Sequence, residues 1–218
     1  MTLENYDVEV RLLGMTVPVQ SDPIDFLRSE ELDAEGLIEF AGRLCWDTQE
    51  ETGTVPDRIQ KWIEVGHESM IEHASATFYI RASRVFTHEI VRHRLGSYSQ
   101  RSQRYVRETE PRYIVPPEIS QGVEPCEQSY CFGRFQWLME QAWRIYGELL
   151  NSGIKPEIAR YVLPNACETQ IICTWNFREL RHIIRLRTSH RALPEMRAVA
   201  GKIKDICKEI APQVFADL

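Results

Sequence analysis

The sequence predicts an α+β fold, a mainly antiparallel sheet packed with helices. Two segments, 74–81 and 169–176, alternate between inward apolar positions and polar ones. Such alternation leaves one face of a strand buried and the other polar, which is typical of antiparallel sheets. Residues 127–152 carry apolar side chains at helical spacing. The 218 residues, 43% of them hydrophobic, suit a single catalytic domain over 1–218, with its own core or one completed by oligomerisation.

The N-terminal elements follow from the same periodicities and from turn residues. Residues 7–15 alternate as a first strand, and residues 37–45 have helical spacing. Thr54 and Pro56 predict the start of a further helix, which Gly66 ends.

The next segment, Gly66 to His73, is rich in polar residues. Ser69 and Glu72 have the spacing of a capping box, which explains both residues structurally. His67 and His73 are open to a structural or a ligand-binding interpretation.

The C-terminal two thirds alternate between helices and turns. Ser83 caps a short helix over 85–91 that Gly96 ends, and the proline-rich residues 111–125 form a loop or edge strand. The long helix ends at Gly153. A short helix follows over 155–163, with Ile158, Tyr161 and Val162 packed inward. After the strand at 169–176 comes a helix that Asn176 caps, with Glu179 at its third position, and then a final helix over 195–210.

Composition excludes several classes of protein. A net charge of −6 argues against a general binder of nucleic acid polymers. No apolar run is long enough to cross a membrane, and the N-terminus has no signal-peptide pattern. The six cysteines form no CxxC pair, so we interpret them as reduced packing residues of a cytoplasmic protein. We predict no metal site, since Cys126 and Cys131 lack a convincing partner pair.

The stretch from Glu89 to Tyr105 is locally basic within this acidic chain. It holds four arginines interleaved with serines, and no lysine occurs between Lys61 and Lys155. The planar guanidinium group of arginine can donate two hydrogen bonds to one phosphate or carboxylate. The stretch therefore predicts a site for a small phosphorylated ligand. The first arginines could instead be favourable charges at a helix end. The arginines continue past Gly96, however, where no helix end needs them.

Arg187 interrupts the apolar stripe of its helix. It lies seven residues after Leu180 and three after Ile184, whereas Arg178, Arg181 and Arg185 should point mostly outward. A partly buried arginine needs an anionic or acceptor partner. The partner is either Glu179 or Glu195 of the same chain, or a ligand that Arg187 faces.

Arg92-His93-Arg94, seven further residues and then Ser102 resemble the RHR-x7-S signature of the flavin-dependent thymidylate synthases. The segments GHESMIEH (66–73), ARYVLP (159–164) and WNFREL (175–180) are similar to the family in the same order. The resemblance implies reductive methylation of dUMP to dTMP. Methylenetetrahydrofolate would donate the carbon, FAD would be the redox cofactor, and NADPH the reductant. It also implies a homotetramer with shared active sites.

The family's site residues carry over to matching positions. The resemblance places Arg187 beside the uracil as the catalytic residue, where its charge favours ionisation at N3. It implies dUMP contacts from Glu89, Arg92, Gln100, Arg101, Ser102, Gln103, Arg104, Arg160 and Arg187. It implies FAD contacts from His67, Ser69, Arg92, His93, Arg94, Gln100, Asn176, Arg178 and His182.

Four positions depart from the common family pattern. Ser99-Gln100 stand where the family often has Asn-Glu, Glu89 stands where Gln is frequent, and Cys45 stands where a small hydroxyl residue is found.

The alternatives are a non-catalytic nucleotide-binding protein of the same fold, a nucleic-acid-binding module, and an orthodox thymidylate synthase with Cys126 as nucleophile. The glutamates beside Cys126 would raise its thiol pKa, which argues against that last reading. There is no GxGxxG or P-loop, so a dinucleotide would not bind at a Rossmann turn.

Overall fold

The computed structural model of the chain describes residues 6–19, 33–48, 57–121 and 125–218, without the side chains of 125–129. Its strands are β1 (Glu9–Met15), β2 (Ser75–Ser83), β3 (Gly96–Gln100) and β4 (Glu168–Asn176). Its helices are α1 (Ala34–Cys45), α2 (Arg58–Glu64), α3 (Arg84–Ile90), α4 (Pro117–Gln121), α5 (Pro125–Asn151), α6 (Pro156–Ala159), α7 (Phe177–Arg187), α8 (Pro194–Ile210) and α9 (Pro212–Phe215). Within the described ranges, two 3-10 helices lie at Met70–His73 and Arg160–Val162.

The strands form one antiparallel sheet in the order β1-β2-β4-β3, which confirms the predicted α+β class. β2 and β4 pair over their full lengths, from Ser75 opposite Asn176 to Ser83 opposite Glu168. Each of these central strands runs directly into a helix, β2 into α3 and β4 into α7. The sheet therefore brings the N-termini of α3 and α7 to opposite ends of one strand pair.

The main core lies on one face of this sheet. Phe78 and Ile80 of β2 and Cys173 and Trp175 of β4 are almost fully buried, as the alternation predicts. Apolar residues of α7, α8 and α9 complete the cluster, with contributions from α1 and α2. A smaller cluster joins α5 to the segment before β4 through Met139, Ala142, Trp143 and Cys167.

The basic stretch contains a strand that the sequence reading missed. α3 ends at Ile90, and Gly96 begins β3 instead of ending a helix. β3 pairs with β4 at the sheet edge, with Gly96 opposite Trp175 and Gln100 opposite Ile171. The alternating Ser-Tyr-Ser pattern was hidden because the strand is short and largely polar, so pairing with β4 decides its conformation. The short helix α4 was likewise missed within the predicted loop at 111–125.

Two local predictions are wrong and a third lies outside the description. Ser69 has helical backbone angles and makes no side-chain cap bond, so the capping box with Glu72 does not form. Ile158 and Tyr161 are exposed because α6 gives way to a 3-10 turn after Ala159. The predicted helix start at Thr54 and Pro56 lies outside the described residues.

The cysteines whose side chains the structure describes divide into two groups. Cys167, Cys173 and Cys207 are buried, which confirms a packing role, and burial raises the pKa of the Cys167 and Cys207 thiols to about 12. Cys45 and Cys131 are exposed, so the packing interpretation is wrong for these two.

Arg181 is the clearest correction among the charged residues. It was predicted to point outward, yet it is 1% exposed. Its guanidinium donates to both carboxylate oxygens of Asp217 at 2.6 and 2.8 Å and to the Val214 carbonyl. This pair ties the C-terminal segment to α7. Within the described ranges, no helix has the length and apolarity that a membrane crossing requires.

Candidate functional site

A turn between α3 and β3 positions the three residues of the Arg-His-Arg motif. Tyr98 folds back under this turn, and its hydroxyl donates to the Ile90 carbonyl at 3.1 Å and contacts the His93 carbonyl. Trp175 in turn donates to the Tyr98 hydroxyl at 2.9 Å. A Cβ on Gly96 would lie 2.5 Å from the Trp175 ring, so this position needs glycine for close approach. The turn is thereby fixed to the central strand β4.

The turn directs its middle residue inward and its flanking arginines outward. His93 is 6% exposed, whereas Arg92 and Arg94 are exposed. The His93 Nδ1 lies 3.2 Å from the Glu179 Oε1 on the first turn of α7. The His93 Nε2 lies 3.0 Å from the Arg187 Nε at the last turn of the same helix.

Arg187 extends this chain of contacts back to α3. Its guanidinium also lies 3.0 Å from the Glu89 Oε2, and its side chain is 17% exposed. Glu89 and His93 are thus the partners of this half-buried cation, rather than Glu179 or Glu195 directly. Burial, together with the charges of Arg187 and His182, lowers the pKa of His93 to about 4. The imidazole is therefore neutral at physiological pH.

A cleft of about 540 Å³ opens beside this network, at the N-terminal half of α7. Asn176 caps α7 by accepting from the Glu179 amide at 2.8 Å, and its side chain also lines the cleft. The cleft is rich in charged groups of both signs; its lining is Glu68, Glu72, Leu95, Asn176, Arg178, Glu179, Arg181, His182 and Arg185.

A second cleft of about 410 Å³ lies next to the first and shares Glu68 and Arg178 with it. Its lining includes Trp46 stacked on His67, with ring centroids 6.0 Å apart. Trp46 is 59% exposed, so an aromatic surface faces solvent here. The rest of its lining is Cys45, Gly66, Ser69 and Met70.

The residues predicted to contact FAD fall mostly around these two clefts. His67 and Ser69 line the second cleft, and Asn176, Arg178 and His182 line the first. His93 lies just beneath, with its ring centroid 5.6 Å from that of His182. The exposed Arg92 and Arg94 line neither cleft.

Gln100 is a further predicted cofactor residue that lines neither cleft. Its amide donates to Thr87 at 3.1 Å and to Thr169 at 3.3 Å. The side chain is therefore held by α3 and β4.

The residues predicted to bind dUMP line neither cleft, and four of them, residues 101–104, directly follow β3. Arg101 is already paired, since it donates to both oxygens of Glu108 at 2.8 and 2.6 Å. Arg104 donates to Glu157 at 3.0 Å from an exposed position, and Ser102 accepts from the Arg104 amide at 3.2 Å. Arg160 donates to the Glu157 carbonyl at 3.2 Å, so α6 and this loop share one cationic neighbourhood.

Two buried donors mark the inner wall of that neighbourhood. Gln103 is 6% exposed, and within the described part of the chain its Nε2 has no hydrogen-bond partner. The Arg84 Nη1 is likewise buried without a partner among the described residues, and burial lowers the pKa of this guanidinium. Both side chains approach Cys167. They add donor capacity beside Arg160, whose charge also acts on Arg84.

Sequence reasoning missed three contributors to these sites. Arg84 stands at the first position of α3, where an arginine carries no signal of burial. Glu179 was predicted as a helix-start residue, and only the tertiary fold brings its carboxylate to His93. Trp46 follows the last residue of α1 and gave no signal in the sequence. The side chain of Cys126, the alternative nucleophile, lies outside the described residues.

Comparison with known proteins gives a consistent result. A family model described as "Thymidylate synthase complementing protein" matches residues 27–213. A flavin-dependent thymidylate synthase of Corynebacterium efficiens is 41% identical over 204 residues, which cover 84% of this chain and 79% of the relative. One from Mycobacterium sp. (strain JLS) is 40% identical over 86% of this chain and 82% of its own. One from Corynebacterium diphtheriae is 35% identical over 96% of this chain and 89% of its own.

Proposed function

Because the chain belongs to the family of flavin-dependent thymidylate synthases, we propose that it converts dUMP to dTMP by reductive methylation. Methylenetetrahydrofolate is the proposed carbon donor, and NADPH the reductant of an FAD cofactor. The observation that carries the proposal is the partly buried Arg187, whose guanidinium contacts both His93 of the Arg-His-Arg motif and Glu89 of α3.

The residues around the two clefts fit a flavin dinucleotide. Arg178, Arg185 and Asn176 provide guanidinium and amide donors that suit a diphosphate. The stacked Trp46 and His67 offer a surface for a planar heteroaromatic ring. Both volumes lie within the roughly 300–1,000 Å³ that is usual for ligand sites.

The acidic residues of the cleft compete with such a ligand. Arg178 is paired with Glu72 and lies 3.5 Å from Glu68, and Arg185 pairs with Asp217 at 2.8 Å. A bound diphosphate would replace these carboxylates as the hydrogen-bond partner of the exposed Arg178. The exposed pair contributes at most about 1 kcal/mol, so this exchange is easily offset by bidentate phosphate contacts.

For the nucleotide, we propose that the cations after β3 hold the phosphate and Arg187 faces the base. Arg104 and Arg160 are paired with one exposed carboxylate and one carbonyl, so both can turn to a phosphate. Arg101 is the less available cation because the buried Glu108 neutralises it.

Arg187 polarises the pyrimidine in this proposal. A guanidinium held in a partly dry site stabilises negative charge on the pyrimidine as the new bond to carbon forms. A bound reduced flavin would supply the hydride that completes the methyl group. Glu89 must yield its contact with Arg187 to the base, or share it, because its carboxylate occupies that guanidinium in the free chain.

We further propose a homotetramer with shared active sites in the cytoplasm, built from one catalytic domain per chain. In a single chain the predicted dUMP residues Arg104 and Arg160 lie outside the clefts that most of the predicted flavin residues line, which supports completion of each site by another copy. The exposed Tyr130, Trp137, Leu138 and Ile145 along α5 also support a subunit contact.

The visible absorption spectrum of the purified, gel-filtered protein tests this proposal. We expect a flavin spectrum that anaerobic NADPH bleaches, and an Arg178→Ala variant that retains less flavin. The alternative, a nucleotide-binding protein without turnover, would bind dUMP yet take up no FAD when the cofactor is added.

A further inference from the structure

We propose that Glu179 is a positioning residue that selects the Nδ1–H tautomer of His93 and so holds Arg187 in place for the pyrimidine. The role of Arg187 rests on the proposed function, but the link from Glu179 to His93 does not. Glu179 is absent from the site predicted by resemblance, since only its position in α7 made it notable in the sequence.

The hydrogen-bonding capacity of the three side chains fixes the direction of both bonds. Arginine has five N–H donors and no acceptor, and it does not lose its proton in proteins. The contact of 3.0 Å from the Arg187 Nε to the His93 Nε2 therefore requires a lone pair on that ring nitrogen. A neutral imidazole with Nε2 as acceptor carries its proton on Nδ1.

Glu179 supplies the acceptor that this tautomer needs. Its Oε1 lies 3.2 Å from the His93 Nδ1, and its side chain is 8% exposed. A buried Nδ1–H without an acceptor would be strongly unfavourable, so the carboxylate stabilises one tautomer over the other. The position of Glu179 in the first turn of α7 also favours its negative charge through the helix dipole.

The surrounding groups leave the imidazole neutral while the contacts persist. His182 and Arg187 both oppose a second positive charge on His93, and burial acts in the same direction. Burial also raises the pKa of Glu179, with His182 acting against that shift. The pair is thus a hydrogen bond between a neutral imidazole and a carboxylate, rather than an ion pair.

Through His93, Glu179 determines the orientation of Arg187 at the other end of α7. If the carboxylate is removed, His93 can adopt the Nε2–H tautomer, which points an N–H at the Arg187 N–H. Arg187 then keeps Glu89 alone as a partner and loses its defined direction. A lost hydrogen bond to a charged group corresponds to a fall in dUMP affinity of roughly tenfold or more.

The test is 15N magic-angle-spinning NMR of histidine-labelled protein, with His93→Asn used to assign the His93 signals. We expect the wild type to show a neutral Nδ1–H ring that does not titrate between pH 5.5 and pH 8. We expect Glu179→Ala to show the Nε2–H tautomer or a mixture. A wild-type Nε2–H ring, or one that protonates near pH 6.5, would overturn the proposal without any variant.

Calorimetric titration of the flavin-loaded protein with dUMP gives the functional readout. The matched control is Glu35→Ala, which removes a carboxylate of similar burial on α1 that accepts from the Val214 amide of α9 at 2.9 Å. We expect weaker dUMP binding in Glu179→Ala but not in Glu35→Ala, at comparable loss of thermal stability. Unchanged affinity in Glu179→Ala, or equal loss in both variants, contradicts a positioning role. A wild type that binds no dUMP would instead refute the proposed function, since the tautomer remains measurable.

Discussion

Replacing Arg187 with alanine removes the guanidinium that joins His93 to Glu89. In the free protein this loses one hydrogen bond to a carboxylate and one to a neutral imidazole, each at 3.0 Å. The Glu89 side chain is 39% exposed and can be solvated by water, so the fold should lose no more than about 1–2 kcal/mol. We expect the variant to remain folded with its thermal transition only slightly lowered.

The effect on the reaction is much larger than the effect on stability. A charge-assisted hydrogen bond to the pyrimidine is worth roughly 1.5–3 kcal/mol, or about 10- to 150-fold in dUMP affinity. Loss of a donor that stabilises developing negative charge lowers kcat by roughly 100- to 1,000-fold. We therefore expect kcat/KM for dUMP to fall by about 1,000-fold or more in Arg187→Ala.

The flavin content should survive the same change. Arg187 lines neither of the two clefts described around Glu68 and Arg178, so its removal leaves their donors in place. The assay is dTMP formation by chromatography together with the flavin absorbance of the same preparation. Arg187→Lys, which keeps the charge but cannot hold His93 and Glu89 together, should recover only part of the activity.

A nearby surface cation provides the control. Arg191→Ala removes an exposed charge four positions along and should behave as the wild type. The reasoning is refuted if Arg187→Ala keeps its flavin and retains kcat/KM within threefold of the wild type. Loss of flavin together with activity would also contradict it, because the residue would then support the cofactor site.

Three further predictions concern stability. The pKa of His93 is lowered to about 4 in the folded protein, so as the pH falls below 6.5 the unfolded chain binds a proton at this histidine before the folded chain does. The free energy of unfolding should therefore fall by up to about 3 kcal/mol between pH 6.5 and pH 4. We expect the difference in unfolding free energy between the wild type and His93→Asn, measured with urea, to shrink by that amount over the same pH range. Parallel pH profiles of the two proteins would contradict this prediction. Arg181→Met leaves a buried carbonyl and a carboxylate without their partner and should lower the free energy of unfolding by about 3–5 kcal/mol. Arg185→Ala removes an exposed cation and should lower it by less than about 1 kcal/mol. Equal shifts in melting temperature for the two variants would contradict the burial argument. Gly96→Ala forces a Cβ to within 2.5 Å of an indole ring and should cost roughly 1–3 kcal/mol by thermal unfolding. Gly147→Ala in α5, where an added Cβ meets nothing within 4 Å, should be neutral or stabilising. A neutral Gly96→Ala would show that the turn is loose.

Local periodicity was sufficient for the central elements of the fold. The alternation of β2 and β4 identified the buried faces, including Phe78 and Trp175, because both strands have one apolar side. The cap formed by Asn176 on the Glu179 amide was also predictable, since it depends on residues three apart. These features are encoded within a few residues of sequence.

The failures come from contacts between residues far apart in the chain. Arg181 could not be recognised as buried because its partner Asp217 lies 36 positions later. β3 was missed because its polar sequence becomes a strand only through pairing with β4. The exposed Ile158 and Tyr161 look like packing residues in a helix that the chain does not continue.

The candidate site shows the same division. The residue types and the motif predicted which side chains to consider, including Arg187 in its anomalous position on α7. Their partners were not predictable: the sequence left Glu179, Glu195 or a ligand open as the partner of Arg187, whereas the fold provides Glu89 and His93. The roles of these residues in binding dUMP and FAD stay predictions.

The formation of dTMP by the purified protein tests the central claim most directly. The reaction mixture contains dUMP, methylenetetrahydrofolate, NADPH and FAD, and the product is quantified by chromatography. We predict that dTMP accumulates in the complete mixture and is absent when either the flavin or the folate is withheld. A folded, flavin-loaded protein that binds dUMP but forms no dTMP would contradict the claim and leave a nucleotide-binding protein of the same fold.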